Sequence, residues 1–283
     1  MDSTIVICSK DRKAELRECL VNCQSQLGEP PILVVDDGSS DGTYAMVKNE
    51  FPRVNVVRME KNIGLINARN LAATLVKTTF LCSIDDDARF SQEDIVLETE
   101  RRFDHPQIAA VAIPVVQIHE GNRLHQSTEP GNTLWTRQFI GTAYAIRVQT
   151  FLDMGGFPTY LYRQEEELHL GLALHKAGFR IRVGWGAPIH HHESVIRNRS
   201  AIQYYQARNM LLFIFRHTPW VLVPAHLLGN LGNHIRMYGW TLGASLKGYA
   251  AGLVDYWKCH VPREPVTLSV FWSFRRLGKA LKR

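Results

Sequence analysis

No part of this 283-residue chain is a continuous apolar run of the ~20 residues that a membrane-spanning helix needs. The nearest approaches, Met210 to Phe215 and Trp220 to Leu228, are parted by the polar stretch Arg216-His217-Thr218-Pro219, so neither reads as a span. The start, Met1-Asp2-Ser3-Thr4-Ile5, lacks a basic segment followed by an apolar one, and secretion is not expected. Cysteine is scarce and odd in number, at Cys8, Cys19, Cys23, Cys82 and Cys259, which is no disulfide framework and suits a reducing, cytoplasmic setting. Cys19 and Cys23 lie four apart on a predicted helix without the second cysteine or histidine pair of a zinc site. Cys8 and Cys82 sit in strand-like runs where a thiol packs as a small hydrophobe. A glycine-rich, lysine-bearing phosphate loop is missing as well: after the first strand stands only Ser9-Lys10-Asp11-Arg12, which counts against a nucleotidyltransferase. Nor is there a compact nucleic-acid motif, so no nucleic-acid partner is expected.

What is present is an ordinary globular composition, 45% hydrophobic and 21% charged, of a length that fits one α/β domain with additions. The net charge of +6 is compatible with a phosphorylated substrate or an anionic lipid and by itself decides neither. Short β-branched or apolar runs alternate with helical patterns: Thr4 to Cys8, then Leu16, Cys19, Leu20 and Cys23 on one helix face, then Ile32 to Val35, Val54 to Val57, and Phe80 to Ile84. Such spacing predicts parallel βαβ units, whose ligands gather beyond the carboxyl ends of the strands.

Acids stand at those ends. Ile32 to Val35 runs into Asp36-Asp37-Gly38-Ser39-Ser40-Asp41-Gly42-Thr43, and Phe80 to Ile84 into Asp85-Asp86-Asp87. Three adjacent carboxylates repel one another and resist burial, so they are expected at an exposed strand end. Strand alternation turns Asp85 and Asp87 one way and Asp86 the other, and two oxygens converging on one point suit a hard divalent cation, Mn²⁺ or Mg²⁺. The residues that follow predict a helix capped by Ser91, with Glu93 and Asp94 in its first turn. Asp36 to Thr43 also reads as an Asp-Gly turn and helix cap, although an aspartate directly after a buried strand can accept from a base N–H or from ribose hydroxyls.

In this order, Val34 to Thr43, Asn62-Ile63-Gly64 with Ala68-Arg69-Asn70, and Asp85-Asp86-Asp87 resemble the motifs of the family 2 glycosyltransferases of the GT-A fold. Further on, Phe139 to Arg147 resembles the segment lining the donor-sugar and acceptor side, and Gly155-Gly156-Phe157 the family's Gly-Gly-Phe loop. Glu165-Glu166-Glu167-Leu168, ahead of Ala177-Gly178-Phe179, falls where the family has Glu-Asp. The resemblance implies an α/β, mostly parallel sheet flanked by helices over about residues 1–210, with a nucleotide-sugar half of about 1–110 and an acceptor half of about 111–210. The residues beyond it, 211–283, read as a helical, amphipathic region. The resemblance also implies an inverting transferase that moves a sugar from a UDP- or dTDP-sugar to a hydroxyl of a glycan or lipid-linked acceptor. The nucleotide-binding residues implied are Cys8, Asp37, Arg69, Asp85 and Asp86, with Asp37 on the uracil or thymine, Cys8 beside the base and Asp85 on the ribose. Asp87 would hold the metal. Counting back from Gly178 aligns Glu166-Glu167 with Glu-Asp and makes Glu167 the base, with the register among Glu165, Glu166 and Glu167 open by one.

Displacing a nucleoside diphosphate builds negative charge on the leaving phosphate, and an attacking hydroxyl must lose its proton to a carboxylate within reach. Crowding of three glutamates is expected to raise at least one of their pKa values. In His190-His191-His192, His192 is the expected second metal ligand, with His190 as its rival. Arg197, Arg199, Arg208 and Asn209 could clamp a diphosphate or acceptor sugar, while Tyr204 and Tyr205 fit helix packing. Beyond residue 211, aromatics alternate with cations, as in helices lying in a membrane interface, and peripheral contact with the inner membrane face is expected there. A nucleotide-sugar enzyme of another kind, or a non-catalytic nucleotide- or carbohydrate-binding protein on the same fold, stands as the alternative.

Overall fold

The computed structural model describes residues 1–192, 199–239, 242–258 and 261–280. Arg197 and Cys259, both read above, lie outside the described residues, as do Glu193, Ser194, Trp240, Lys282 and Arg283.

The chain opens with β1 (Ser3–Ser9), α1 (Lys13–Cys23), β2 (Ile32–Asp36), α2 (Thr43–Glu50), β3 (Asn55–Arg58), α3 (Leu65–Leu75) and β4 (Phe80–Ile84). These strands are parallel neighbours in the order β3-β2-β1-β4, and β1 and β2 pair from Ile5 with Ile32 to Ser9 with Asp36. Apolar residues on both faces let helices cover the sheet on either side: Ile5, Ile7 and Val34 pack with Leu16 and Leu20 of α1, and Val6, Leu33 and Val35 with Ile66 and Ala72 of α3. Cys19 and Cys23 are buried in the first of these layers, the packing role their spacing implied.

Next come β5 (Ala88–Phe90), α4 (Ile95–Arg101), β6 (Ile108–Ala112), β7 (Val115–Gln117), β8 (Arg123–His125), β9 (Trp135–Thr136), β10 (Ala143–Arg147), α5 (Val148–Asp153), α6 (Glu166–Lys176), β11 (Arg180–Val183) and β12 (Ile189–His191). The main sheet has eight strands, ordered β3-β2-β1-β4-β10-β6-β11-β9, with β10 antiparallel to both neighbours and β9 antiparallel to β11. A smaller sheet, β5-β12-β7-β8, lies beside its carboxyl edge. This is the α/β, mostly parallel sheet that the alternation of runs pointed to, in the GT-A-like arrangement that the resemblance implied. The cap expected at Ser91 is displaced. Ser91 extends the small sheet, its N–H donating to the Pro188 carbonyl at 3.2 Å, and α4 begins only at Ile95 after Asp94.

Four helices close the chain: α7 (Arg199–His217), α8 (Val223–Tyr238), α9 (Gly243–Lys258) and α10 (Leu268–Ala280). Residue 110 falls inside β6 and residue 210 inside α7, so both anticipated boundaries pass through continuous elements. No described helix is long and apolar enough to cross a membrane. Helix α9 approaches α7 closely because Ser245, Gly248 and Gly252 face it; a Cβ at Gly248 would stand 2.2 Å from the Tyr204 carbonyl oxygen. Gly248→Val is therefore expected to lower the denaturant midpoint by the equivalent of about 1–3 kcal/mol, the usual cost of overpacking a close contact. A wild-type midpoint for that variant would mean that the two helices part at no cost.

Candidate functional site

Two loops and one strand of the small sheet build the acidic centre. Beyond Ile84, Asp85 is half-exposed while Asp86 and Asp87 are buried, which differs from the exposed strand end expected for all three. Partners make the burial tolerable. Ser9 Oγ donates to Asp86 Oδ2 at 2.6 Å, and the Arg12 guanidinium sits 3.2 Å from Asp86 Oδ1 and donates to Asp87 Oδ2 at 3.0 Å. Burial pushes the Asp86 carboxyl up to about 7 in spite of Arg12. At Asp87 the same burial is outweighed by the bond from His191 and by Arg12, which hold that carboxyl below its ordinary range.

His191 Nε2 lies 3.0 Å from Asp87 Oδ1, and its Nδ1 faces Gln117 Oε1 at 2.9 Å. Ligand atoms of Asp85, Asp87 and His191 lie within 4.8 Å of one another, a carboxylate–carboxylate–imidazole set that fits Mn²⁺ or Mg²⁺. The histidine is His191, whereas the sequence pointed to His192 with His190 as its rival. Its strand explains the difference. Ile189 is buried in the core, alternation carries His191 to the same side, and pairing of His191 with Ala88 sets it beside Asp87. His192 is exposed, and only its backbone N–H reaches Asp87, donating to the carbonyl oxygen at 2.8 Å.

Asp37 spends both carboxylate oxygens on the loop opposite, accepting from the N–H groups of Ile63 at 2.7 Å and Gly64 at 2.9 Å. Gly64 has φ +86, a left-handed backbone that brings its N–H to Asp37 without Cβ strain. Cys8 lies near this end as the penultimate residue of β1, where burial pushes its thiol up to about 12. A cavity of about 490 Å³ joins Cys8, Asp37, Asp85, Asp87, Tyr162 and His191.

A second cavity, of about 330 Å³, adjoins the first along Leu65, Asp85, Arg163 and His191 and ends on Glu165, Glu166 and Glu167. Gln164 and Glu165 both hold φ near +67, an uncommon conformation for residues with a side chain; the turn delivers Glu166 and Glu167 into the first turn of α6. Arg69, from α3, crosses between the two ends. It donates to Asp85 Oδ1 at 2.8 Å and to the Gly141 carbonyl at 3.0 Å, and lies 3.4 Å from Glu166 Oε1. Arg69, on the wall of the second cavity, thus braces two carboxylates. Burial raises all three glutamates, Glu165 to about 7 and Glu167 well above its ordinary value, with Glu166 next in importance to burial at both. Glu166 keeps Oε2 buried with no hydrogen-bond partner among the described residues.

Arg208 donates to Asp255 of α9 at 2.7 Å, tying two tail helices together, and Asn209 donates to the carbonyls of Arg163 and Gln164, which fastens α7 to the glutamate loop. Arg12, Tyr162, Arg163 and Gln117 were not anticipated at the site. Arg12 and Gln117 act on residues remote in sequence, and no local pattern marks them.

The sequence model described as Glycosyl transferase family 2 matches residues 4–166. A curated relative, an uncharacterized glycosyltransferase of Haemophilus influenzae, is 28% identical over 173 residues, and the match spans 58% of either chain. Among solved structures, S. aureus TarS 1–349 in complex with UDP-GlcNAc superposes with a TM-score of 0.67 at 18% identity, over 90% of this chain and 80% of that one. The mannosyltransferase PcManGT from Pyrobaculum calidifontis, in complex with GDP-Man and Mn²⁺, gives 0.62 at 16% identity, over 99% of this chain and 84% of its own. The structural likenesses carry the fold, and the family model, which takes in more than half the chain and every acidic motif up to Glu166, carries the rest: the chain belongs to glycosyl transferase family 2, on a GT-A fold.

Proposed function

We propose that this chain is an inverting, metal-dependent glycosyltransferase that moves a sugar from a UDP- or dTDP-sugar to a hydroxyl of a glycan or lipid-linked acceptor. The observation that carries the reading is the meeting of the two cavities at Asp85 and His191, with the candidate metal set where they join and Glu167 on the far wall of the second. A donor laid across that junction has its diphosphate at the acids and its anomeric carbon facing the glutamates. Asp85, Asp87 and His191 would hold Mn²⁺ or Mg²⁺, which when bound supplies a Lewis acid for the charge on the departing diphosphate. PcManGT was solved with GDP-Man and Mn²⁺, and TarS with UDP-GlcNAc, which supports a nucleotide-sugar donor here.

The chain's own residues then divide the work. Cys8 and Asp37 border the nucleoside end, with Asp37 also pinning the Ile63–Gly64 loop. Asp86 fixes Ser9 and Arg12, and Arg69 positions Asp85 against Glu166. Glu167 takes the proton of the acceptor hydroxyl as that oxygen bonds to the anomeric carbon. The bond from that carbon to the phosphate oxygen breaks on the opposite face, and one direct displacement inverts the centre. The enzyme would work on the cytoplasmic side, resting peripherally on the inner membrane face through residues 211–283.

Calorimetric titration with UDP, dTDP, GDP and CDP, each with Mn²⁺ and with EDTA, tests the reading. Binding of UDP or dTDP only in the presence of Mn²⁺ is the expected result; binding of GDP in their place would reassign the base, and binding of none by folded protein would overturn the metal site. His191→Ala is expected to weaken the Mn²⁺-dependent binding on the order of 10- to 100-fold, while His192→Ala leaves it near wild type. The reverse ranking would return the ligand role to His192.

A further inference from the structure

The outward face of α9 is apolar where a solvated helix should be polar. Its small residues Ser245, Gly248 and Gly252 point inward to α7, and at helical spacing the opposite side carries Leu246, Leu253, Val254 and Trp257, all exposed, with Trp257 at 70%. Lys247 and Lys258 stand together at one margin of that stripe. The patch does not stop at the helix. Trp257 packs edge-on to Tyr256, Tyr256 lies against Phe215, and Phe215 meets Trp220, itself 61% exposed and stacked under the Arg263 guanidinium at 3.7 Å. Two exposed tryptophans thus bracket a continuous apolar strip edged by cations.

Charge says what covers it. From residue 199 onward the sequence has twelve lysines and arginines and two acids, whereas the residues before it have twenty-one and twenty-five. Both acids of the tail are engaged, Asp255 with Arg208 at 2.7 Å and Glu264 with Arg216 at 3.0 Å. A second copy seated on this face would bring two strongly positive tails together. An anionic surface would be attracted. Tryptophan at the ends of an apolar strip, with lysine and arginine at its margin, is the pattern of a helix lying at the headgroup level of a bilayer, with stems in the acyl boundary and charges among phosphates.

We propose that the α9 face and the Trp220 turn form a docking surface for anionic lipid bilayers. This deepens the peripheral placement given above, and it stands apart from the transfer chemistry because none of its residues lines the two site cavities. The full chain is to be floated with vesicles of phosphatidylcholine alone and of phosphatidylcholine mixed with phosphatidylglycerol. The expected result is co-flotation with the anionic vesicles, weakened by salt, and about tenfold less with the neutral ones. Trp257→Glu and Leu253→Glu, on exposed side chains, are each expected to reduce the bound fraction by about tenfold or more, with unchanged far-ultraviolet circular dichroism. Lys247→Glu with Lys258→Glu is expected to abolish the preference for anionic over neutral vesicles. Failure of the folded protein to float with either vesicle overturns the proposal. So does a concentration-dependent dimer that Trp257→Glu dissociates. Mn²⁺-dependent nucleotide binding is measured on the same variants and is expected to stay at the wild-type level, so loss of lipid binding and loss of the transferase reading register in different assays.

Discussion

Asp87→Asn is expected to remove Mn²⁺-dependent nucleotide binding and to lower the transfer rate by roughly a thousandfold, since a bound cation contributes several kcal/mol to stabilising a leaving diphosphate. Asparagine keeps the shape, its one oxygen accepting from Arg12 and its NH2 turned to His191 Nε2 where Asp87 Oδ1 stood, so the fold is expected to survive; what goes is the charge. Asp87 is the carboxylate best prepared for a cation, because His191 and Arg12 hold it ionised below the usual carboxylate range. Asp86, one residue earlier, is the natural control. Its oxygens face Ser9 and Arg12, and burial brings its carboxyl to about 7. Asp86→Asn is therefore expected to cost far less in metal-dependent binding. Titration of both variants with UDP and Mn²⁺ reads the difference, and an Asp87→Asn protein that keeps metal-dependent binding would sink the assignment.

The acids after β4 were legible because a strand ending in carboxylates needs compensation. Asp85 and Asp87 do come together with His191, but through a turn and not by strand alternation: β4 ends at Ile84, and the Ala88 N–H donates to the Asp85 carbonyl. Their burial was not legible. It depends on Arg12 and Ser9, which reach the acids across the sheet from the end of the neighbouring β1, and on His191, contributed by a three-residue strand of a second sheet. A strand that short has no period of its own to read, so the choice among three adjacent histidines had to wait for the register of β12 against β5. The parallel sheet core was open to pattern reading because its β-branched runs are buried on both faces. Insertion of β10 between β4 and β6 was not, since nothing local distinguishes an antiparallel strand from a parallel one when both are buried. Helices of the tail were expected as amphipathic. Which way α9 turned was decided by Gly248 and Gly252, whose missing side chains admit the α7 backbone and leave the leucines outside.

Glu167→Gln is expected to lower kcat by a factor on the order of 10²–10⁴, the usual contribution of a positioned general base, with KM for the donor and Mn²⁺-dependent nucleotide binding close to wild type. Glu165→Gln and Glu166→Gln settle the register, because only the base should lose rate without losing binding; at Glu166 the change also loosens Arg69 and, through it, Asp85. The pH profile gives a second, independent readout. Burial, with Glu166 beside it, raises the Glu167 carboxyl well above its ordinary value, so wild-type kcat/KM should climb with pH through that raised value, as the group must be deprotonated to accept a proton. The Gln variant should be slow and flat over the same range. Stability runs the other way. A carboxyl whose folded pKa is raised binds its proton more tightly in the folded state than in the unfolded one, so stability falls as pH rises from the ordinary carboxylate range toward the raised value. Glu167→Gln removes that fall, and the variant should therefore melt at or above the wild-type temperature at neutral pH while being nearly inactive. A variant that is instead less stable and equally active would place Glu167 among the structural acids of the α6 start and pass the role of base to one of its neighbours.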